Sequence, residues 1–471
     1  MRRTETAAGS AALAAALALS ACSLAPDYHR PAIAAPAAYK ELPPGWSVAQ
    51  PAAGLTPASW WQAFGDTTLN GLEERIEGAN PSLAAAVARH DAALGQLGVS
   101  RADLSPEIDA DGGASRERVS KYRPLTSGHA ATYNDYQIGA SFSYEIDLFG
   151  RVRNSIRASR AEANASDADV AGVRLGLQTQ LATIYFQMRG LDAREELLKA
   201  TVAAYQRADD LTETRHAGGI ASGLDTSRAR TQLSSARAEL SDVHAQRAAY
   251  EHAIAALVGE TASSFAIPTD AHRIAPIVVP PGTPSTLLQR RPDIDAAERR
   301  VFAANARIGV ARAALYPALS LGGSGGFLST GAALISKAGS FWALGPAAAA
   351  LPLLDGGRRR SEVRVARADF DQAAATYKQT VLTAFKEVED DLALGRDLIQ
   401  EERDESDAAA AAERTRDLAL VRYRDGASDY LEVVTAQTAA LDAERSLLDL
   451  RTRQLTTGVD TVRALGGAPQ P

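Results

Sequence analysis

The stretch "YNDYQIGASFSYEIDL" (Tyr133 to Leu148) decides the fold. Tyr136, Ile138, Ala140, Phe142, Tyr144, Ile146 and Leu148 fall on one face of an extended chain. Asp135, Gln137, Ser141, Ser143, Glu145 and Asp147 fall on the other. That is the period of two of a β-strand. Residues 107–118 supply a partner strand, and "RPLTSGHAAT" (Arg123 to Thr132) supplies the turn region. The design repeats at 318–329 and 340–352, with Gly322, Gly323, Gly325 and Gly326 in place of bulkier residues. The expectation is two hairpins and four strands per chain, each hairpin bounded by helices. One polar face and one apolar, aromatic face is the pattern of a transmembrane β-strand. A soluble hairpin packed on the helices is the alternative.

Four strands cannot close a barrel in lipid, since membrane barrels start at about eight strands. Open sheet edges do not survive in hydrocarbon, where unpaired N–H and C=O groups find no water. The strands of several chains must therefore combine. Two chains give eight strands and three give twelve. Only the larger number leaves a passage inside.

Around the strands the chain is helical and duplicated. "NPSLAAAVARHDAALGQLGVSRADLSP" (Asn80 to Pro106) lies on "RPDIDAAERRVFAANARIGVARAALYP" (Arg291 to Pro317) at an offset of 211, without a gap. Further on the offset becomes 207: Gly150-Arg151 meets Gly357-Arg358, Arg215 meets Arg422, Gly219 meets Gly426 and Gly259 meets Gly466. Two copies are too few for a solenoid and read as one pseudo-symmetric fold. From Arg151 to His216 there is no proline, enough for roughly 100 Å of helix. Apolar residues recur every seven positions at Val170, Leu177, Ile184, Leu191, Leu198 and Tyr205. Leu233, Leu240 and Ile254, and later Val434, Leu441, Leu448, Leu455 and Val462, keep the interval. Sustained heptads indicate helices packed as coiled coils. Taken without the strands, they would equally suit a soluble stalk.

Composition and the N-terminus narrow the class. The chain has 57 acidic and 50 basic residues, net −7, which argues against nucleic-acid binding. Arg2 and Arg3 precede the apolar run "AALAAALAL" (residues 11–19) and the small residues Ser20 and Ala21. This is the layout of a signal peptide over residues 1–21. The single cysteine, Cys22, follows it. Leu19-Ser20-Ala21-Cys22 resembles the bacterial lipoprotein cleavage box, which implies that Cys22 is lipidated and becomes the first residue of the mature chain. Ser23, in place of Asp, implies the outer membrane. Without Arg2, Arg3 and Glu5 the mature chain carries −8. No HExxH or P-loop motif is present, and the seven histidines are scattered. "GGSGGF" (Gly322 to Phe327) lacks the Lys-Ser/Thr of a phosphate loop. The expectation is no enzyme activity, no metal and no cofactor beyond the covalent lipid.

Together, "APDYHRP" after Cys22, "WWQAFGD" (Trp60 to Asp66), "NPSL" (Asn80 to Leu83), "YEIDLFGR" (Tyr144 to Arg151), "RRPDI" (Arg290 to Ile294), "LDGGRRR" (Leu354 to Arg360) and "RYRDGASDYLEV" (Arg422 to Val433) resemble the TolC-like outer-membrane efflux factors, in the lipoprotein subgroup that includes OprM and NodT. The resemblance covers nearly the whole mature chain. It implies an α+β membrane protein with an internal duplication. Three copies form a 12-stranded outer-membrane β-barrel, four strands per chain, continuous with a long periplasmic α-helical coiled-coil barrel. The implied organisation is an anchored segment (22–79), a first repeat (80–265, hairpin 107–148), a linker (266–290), a second repeat (291–466, hairpin 318–353) and a tail (467–471). Implied partners are two further copies, outer-membrane lipid, a periplasmic adaptor and an inner-membrane transporter of the RND type.

The implied function is passive export of small molecules such as antibiotics. A type I protein-secretion duct and a non-channel periplasmic scaffold lipoprotein are the alternatives. In the family the helix–helix turns at 215–232 and 422–437 close the periplasmic tip. The resemblance puts Tyr423 in an aromatic position that ties helices together and Glu432 where relatives carry a pore-facing Asp. Thr435 stands where some carry a second Asp, which leaves the second acidic ring in doubt. Asp225, Asp425 and Asp429 are the other carboxylates expected at this gate.

Overall fold

A computed structural model describes residues 23–42, 57–122, 128–277, 284–332, 335, 337–345 and 347–467. Residues 1–21 and Cys22 lie outside the described residues, as do parts of the first turn region, the linker and the tail. After a 3-10 turn at Pro57–Phe64, the elements run α1 (Thr67–Ala79), α2 (Pro81–Ala102), β1 (Glu107–Val119), β2 (Ala131–Ile146), α3 (Arg151–Ala217), α4 (Gly223–Leu257), α5 (Pro284–Arg290), α6 (Pro292–Ala313), β3 (Ala318–Ser329), β4 (Phe341–Leu344), β5 (Ala347–Ala350), α7 (Arg358–Arg424) and α8 (Tyr430–Ala464). The duplication is exact in helix length: α2 and α6 have 22 residues each, α3 and α7 have 67, and α4 and α8 have 35. Pro81 and Pro292 open their helices, where a missing N–H costs nothing. Two compact units form, and each draws on both repeats: the described residues within 23–32, 89–167 and 296–378 in one, the other described residues in the second.

The first unit holds an antiparallel sheet in the order β1-β2-β3-β4, with β5 also on β3. Register keeps like faces together. Ile108 faces Phe142, Gly112 faces Ile138 and Leu321 faces Tyr144, while Asp109 faces Ser141 and Ser320 faces Glu145. Gln137 Nε2 donates to Asp111 Oδ2 at 3.0 Å along the polar face. The glycines of β3 have a steric cause: a Cβ at Gly323 would stand 3.1 Å from the Phe142 ring, and one at Gly326 would run into the Ile138 carbonyl.

The structure corrects the expected strands in two places. The fourth strand, expected at 340–352, is two short segments on either side of 345–346. Both segments keep one register against β3, Leu344 opposite Ser324 and Ala347 opposite Leu321, and the sequence between them includes a proline, which has no N–H to give a ladder. The second strand ends at Ile146, so Asp147 and Leu148 are not in it. Asp147 instead accepts from the backbone N–H groups of Val152 (3.1 Å) and Arg153 (2.9 Å), satisfying the free donors at the start of α3. Gly150 makes the turn with φ 76°.

The chain beyond Cys22 straps onto this unit. Ser23 Oγ donates to Asn154 Oδ1 at 3.0 Å, Arg312 donates to the Leu24 carbonyl and Asn305 to the Pro26 carbonyl. Tyr28 packs edge-on to Phe302, and Arg30 reaches Glu298 at 3.0 Å and the Tyr377 hydroxyl at 2.8 Å. This gives "APDYHRP" a physical role as an anchoring strap.

In the second unit, the heptad expectation holds where α3 meets α4: Leu191, Leu198 and Val243 form one buried cluster, and Tyr205, Leu233 and Ala236 another. The helix ends reveal the duplication at the atomic level. Asn80 Nδ2 donates to the Leu257 carbonyl at 2.7 Å, and Arg291 Nη1, at the matching position, donates to the Ala464 carbonyl at 3.0 Å. Gly259 and Gly466 follow with φ of 72° and 80°, where a side chain would strike the backbone of Ala79 and Arg290.

A buried ion network ties the linker down. Asp192 accepts from Arg189 (2.8 Å) and Arg247 (2.6 Å). The same arginines donate to the Pro268 and Ile267 carbonyls. Arg189 also reaches the Tyr185 hydroxyl, which itself donates to Asp66, the N-cap of α1.

Glu73 on α1 is the exception to this pairing. It is fully buried, both carboxyl oxygens lack a partner among the described residues, and burial pushes its pKa from 4.5 up to about 9. The folded chain therefore keeps a proton that the unfolded chain releases above about pH 4.5, and stability falls as pH rises from there towards 9. Glu73→Leu should raise stability at pH 8 by about 1–3 kcal/mol and flatten its dependence between pH 5 and 9. Thermal unfolding across that range checks it, and an unchanged slope would refute the assignment.

Candidate functional site

Two helix turns meet in the second unit. α3 and α7 each end on a glycine in the left-handed region, Gly219 (φ 73°) and Gly426 (φ 78°). Ile220 N donates to the Arg215 carbonyl and Ala427 N to the Arg422 carbonyl, both at 2.8 Å. This is the Schellman closure that only glycine adopts without strain. The following helices are capped by carboxylates. Ser222 and Asp225 form a reciprocal capping box on α4, and Asp429 accepts from Glu432 N at 3.1 Å on α8.

Tyr423 is buried with Ala208, Ala229, Tyr430 and Val433, its ring 5.2 Å from that of Tyr430 in an edge contact. Its hydroxyl has no partner among the described residues. The Arg215 guanidinium lies 4.6 Å over the Tyr423 ring and donates to the Tyr423 carbonyl at 2.6 Å. Burial pushes the Tyr430 hydroxyl up to about 12. The turns are thus held by one aromatic pair and one arginine that stacks and donates at once.

The expected gate residues come together but do different things. Glu432 pairs with Arg422 at 2.8 Å, and Asp225 is 3.8 Å from Arg228. Asp225 and Asp429 serve as caps, and Asp425 is exposed with no ion pair among the described residues. Thr435 is exposed and its hydroxyl turns back to the Leu431 carbonyl. Sequence reasoning matched Arg215 to Arg422 as repeat partners but missed that one grips Tyr423 and the other Glu432. The signal was present in the two Arg-x₃-Gly spacings, and the side-chain partners were not. Among the described residues no cluster of His, Cys, Asp or Glu could hold a metal ion, and no helix is long and apolar enough to cross a membrane.

Losing the Arg215 hydrogen bond and ring contact should loosen the turn. Arg215→Ala should cost about 1–3 kcal/mol locally and speed amide exchange of residues 421–433 by about tenfold or more. Tyr423→Phe removes only an unpartnered hydroxyl and should leave exchange unchanged. Equal exchange in parent and Arg215→Ala would remove Arg215 from this role.

Residues 73–260 and 283–467 match the family model "Outer membrane efflux protein". The chain is 34% identical over 467 residues to outer membrane protein OprJ of Pseudomonas aeruginosa, covering 98% of this chain and 95% of that protein. It is 29% identical over 457 residues to the cation efflux system protein CusC of Escherichia coli, covering 97% of each. Its structure is similar to the outer-membrane channel OprN, with a TM-score of 0.87 at 30% identity over 96% of this chain and all of that one. It is similar also to the Campylobacter jejuni CmeC outer membrane channel, with a TM-score of 0.89 at 25% identity over 95% and 96% of the two chains. A sheet with two free edges, a duplicated pair of long helical hairpins and matches spanning both repeats lead to one conclusion: this chain belongs to the outer membrane efflux protein family.

Proposed function

We propose that this chain is the passive exit duct of a tripartite pump for small molecules such as antibiotics, working as a trimer anchored by lipid at Cys22. The chain is an outer-membrane channel component of an efflux pump, reaching from the outer membrane into the periplasm. The observation that carries the trimer is the pair of unpaired sheet edges, β1 on one side and β4 with β5 on the other. β1 is exposed along nearly its whole length. In lipid these edges must pair, and three copies give a closed barrel wide enough to conduct.

Energy comes from outside the chain, through an inner-membrane transporter of the RND type and a periplasmic adaptor. A groove of about 590 Å³ along α3, α7 and α8, lined by Ala193, Ala200, Ala204 and Ala409 and edged by Glu413 and Arg451, suits an adaptor's helical hairpin. CusC and the probable efflux pump outer membrane protein TtgC of Pseudomonas putida are named for efflux, which favours small-molecule cargo over protein cargo. The exposed Arg422–Glu432 pair is an exchangeable contact of the gate, and Asp425 adds a carboxylate in the same turn. Exposed ion pairs hold only about 0.2–1 kcal/mol each, little enough for a docking partner to replace.

Deleting the gene should raise cellular accumulation of a fluorescent efflux dye several-fold, and the full chain should restore export. Loss of a secreted protein with unchanged dye export would favour the type I duct instead. Tyr423→Phe with Glu432→Ala should raise conductance in planar bilayers without changing trimer mass by light scattering, and parental conductance would move the gate elsewhere. Mass spectrometry of the mature N-terminus should find acylated Cys22; an unmodified terminus at another residue would sink the anchor.

A further inference from the structure

Both repeats carry the same arginines just past the sheet. Arg153, Arg157 and Arg160 on α3 match Arg360, Arg364 and Arg367 on α7 at the offset of 207. The spacing i, i+4, i+7 puts each set on one helix face. Only Arg153 is spoken for by a carboxylate, Asp147 at 3.1 Å. Arg157 reaches the neutral Ser23 Oγ (3.3 Å) and Asn154 Oδ1 (3.4 Å), and Arg364 reaches Ser361 Oγ (2.9 Å). Arg160, Arg360 and Arg367 are exposed with no ion pair among the described residues. The nearby acids are engaged elsewhere: Glu162 faces Arg300 and Arg307, Glu362 faces Arg358, and Asp355 caps α7 and faces Arg359.

Two observations say what these cations face. Arg157 touches Ser23, the residue after Cys22, so on the proposed acylation of Cys22 the first stripe lies next to the lipid anchor in sequence. Ahead of the second stripe, Leu353 and Leu354 stand 90% and 94% exposed at the strand-to-helix junction. Side chains of a helix lean towards its N-terminus, here towards the sheet. Fully exposed leucines followed by unpaired arginines present an apolar wedge and then a phosphate-binding edge.

We propose that the two arginine stripes bind the phosphodiester headgroups of anionic phospholipid, phosphatidylglycerol or cardiolipin, in the periplasm-facing leaflet of the outer membrane. Guanidinium groups match phosphate oxygens bidentately, and rows of cations at a membrane surface concentrate anionic lipid. The proposal rests on the channel reading, which puts the sheet in the bilayer.

The full-length acylated protein is reconstituted in nanodiscs with equal phosphatidylglycerol and phosphatidylcholine, and the lipid retained through repurification is counted by mass spectrometry. The parent should retain phosphatidylglycerol in excess. Arg160→Gln, Arg360→Gln, Arg364→Gln and Arg367→Gln together should cut that excess at least about fivefold, while the four lysine replacements should restore part of it. These residues hold no ion pairs, so trimer mass should not change. Inorganic phosphate should not displace the lipid; displacement at millimolar concentration would assign the stripes to free phosphate. Trimers that retain no excess, or a glutamine variant that retains as much as the parent, would overturn the proposal alone. A parent that forms no trimers in nanodiscs would overturn the channel reading with it.

Discussion

An unpaired strand edge in hydrocarbon is the constraint on which this molecule depends. β1 runs 13 residues with one ladder satisfied and the other open, and β4 with β5 leaves the opposite edge open too. Each buried, unmatched N–H or C=O costs several kcal/mol, so the sheet cannot be an intermediate that waits in the bilayer. The sheet must close with the sheets of other copies, and the single chain is not a functional unit. The helices, continuous with the strands through Gly150 and Gly356-Gly357, inherit the same multiplicity.

A duplicated chain has to keep its copies in register while letting them diverge. The joints are the most alike: Asn80 and Arg291 both donate to the last carbonyls of the long return helix, and Gly259 and Gly466 both give way to the opposing backbone. The surfaces differ. Arg291 is also held by Asp293 and Glu387, which Asn80 is not. At the turns, Arg215 and Arg422 share a position and a Schellman glycine but hold an aromatic ring and a carboxylate respectively. Backbone geometry is common to both repeats, and chemistry is assigned to each separately.

The architecture was legible in the sequence because it depends on period. Alternation at 133–146, heptads from Val170 to Tyr205, and prolines and glycines at repeat offsets are local signals, and the strands, long helices and turns stand where they indicate. The strand ends were less legible, since alternation continues through Asp147 and Leu148 while capping takes Asp147 away from the strand. The gate residues were placed by resemblance, and their partners were not readable. Arg215 lies 208 residues from Tyr423, and Asp192 lies 55 from Arg247 and 78 from Asp270. No periodicity reports contacts at such separations.

The equal lengths of the paired helices carry a consequence for how such a gene can change. α3 and α7 each run 67 residues, and their ends meet where Ala208 and Ala229 pack with Tyr423, Tyr430 and Val433. A seven-residue insertion in one helix alone would preserve its heptad pattern yet carry its tip about 10 Å past its neighbour, separating Arg215 from Tyr423. The reach of the channel can therefore drift only by matched insertions in both halves. Helix length in this chain is thus one gauge set twice, and a change in one setting misaligns it with the other.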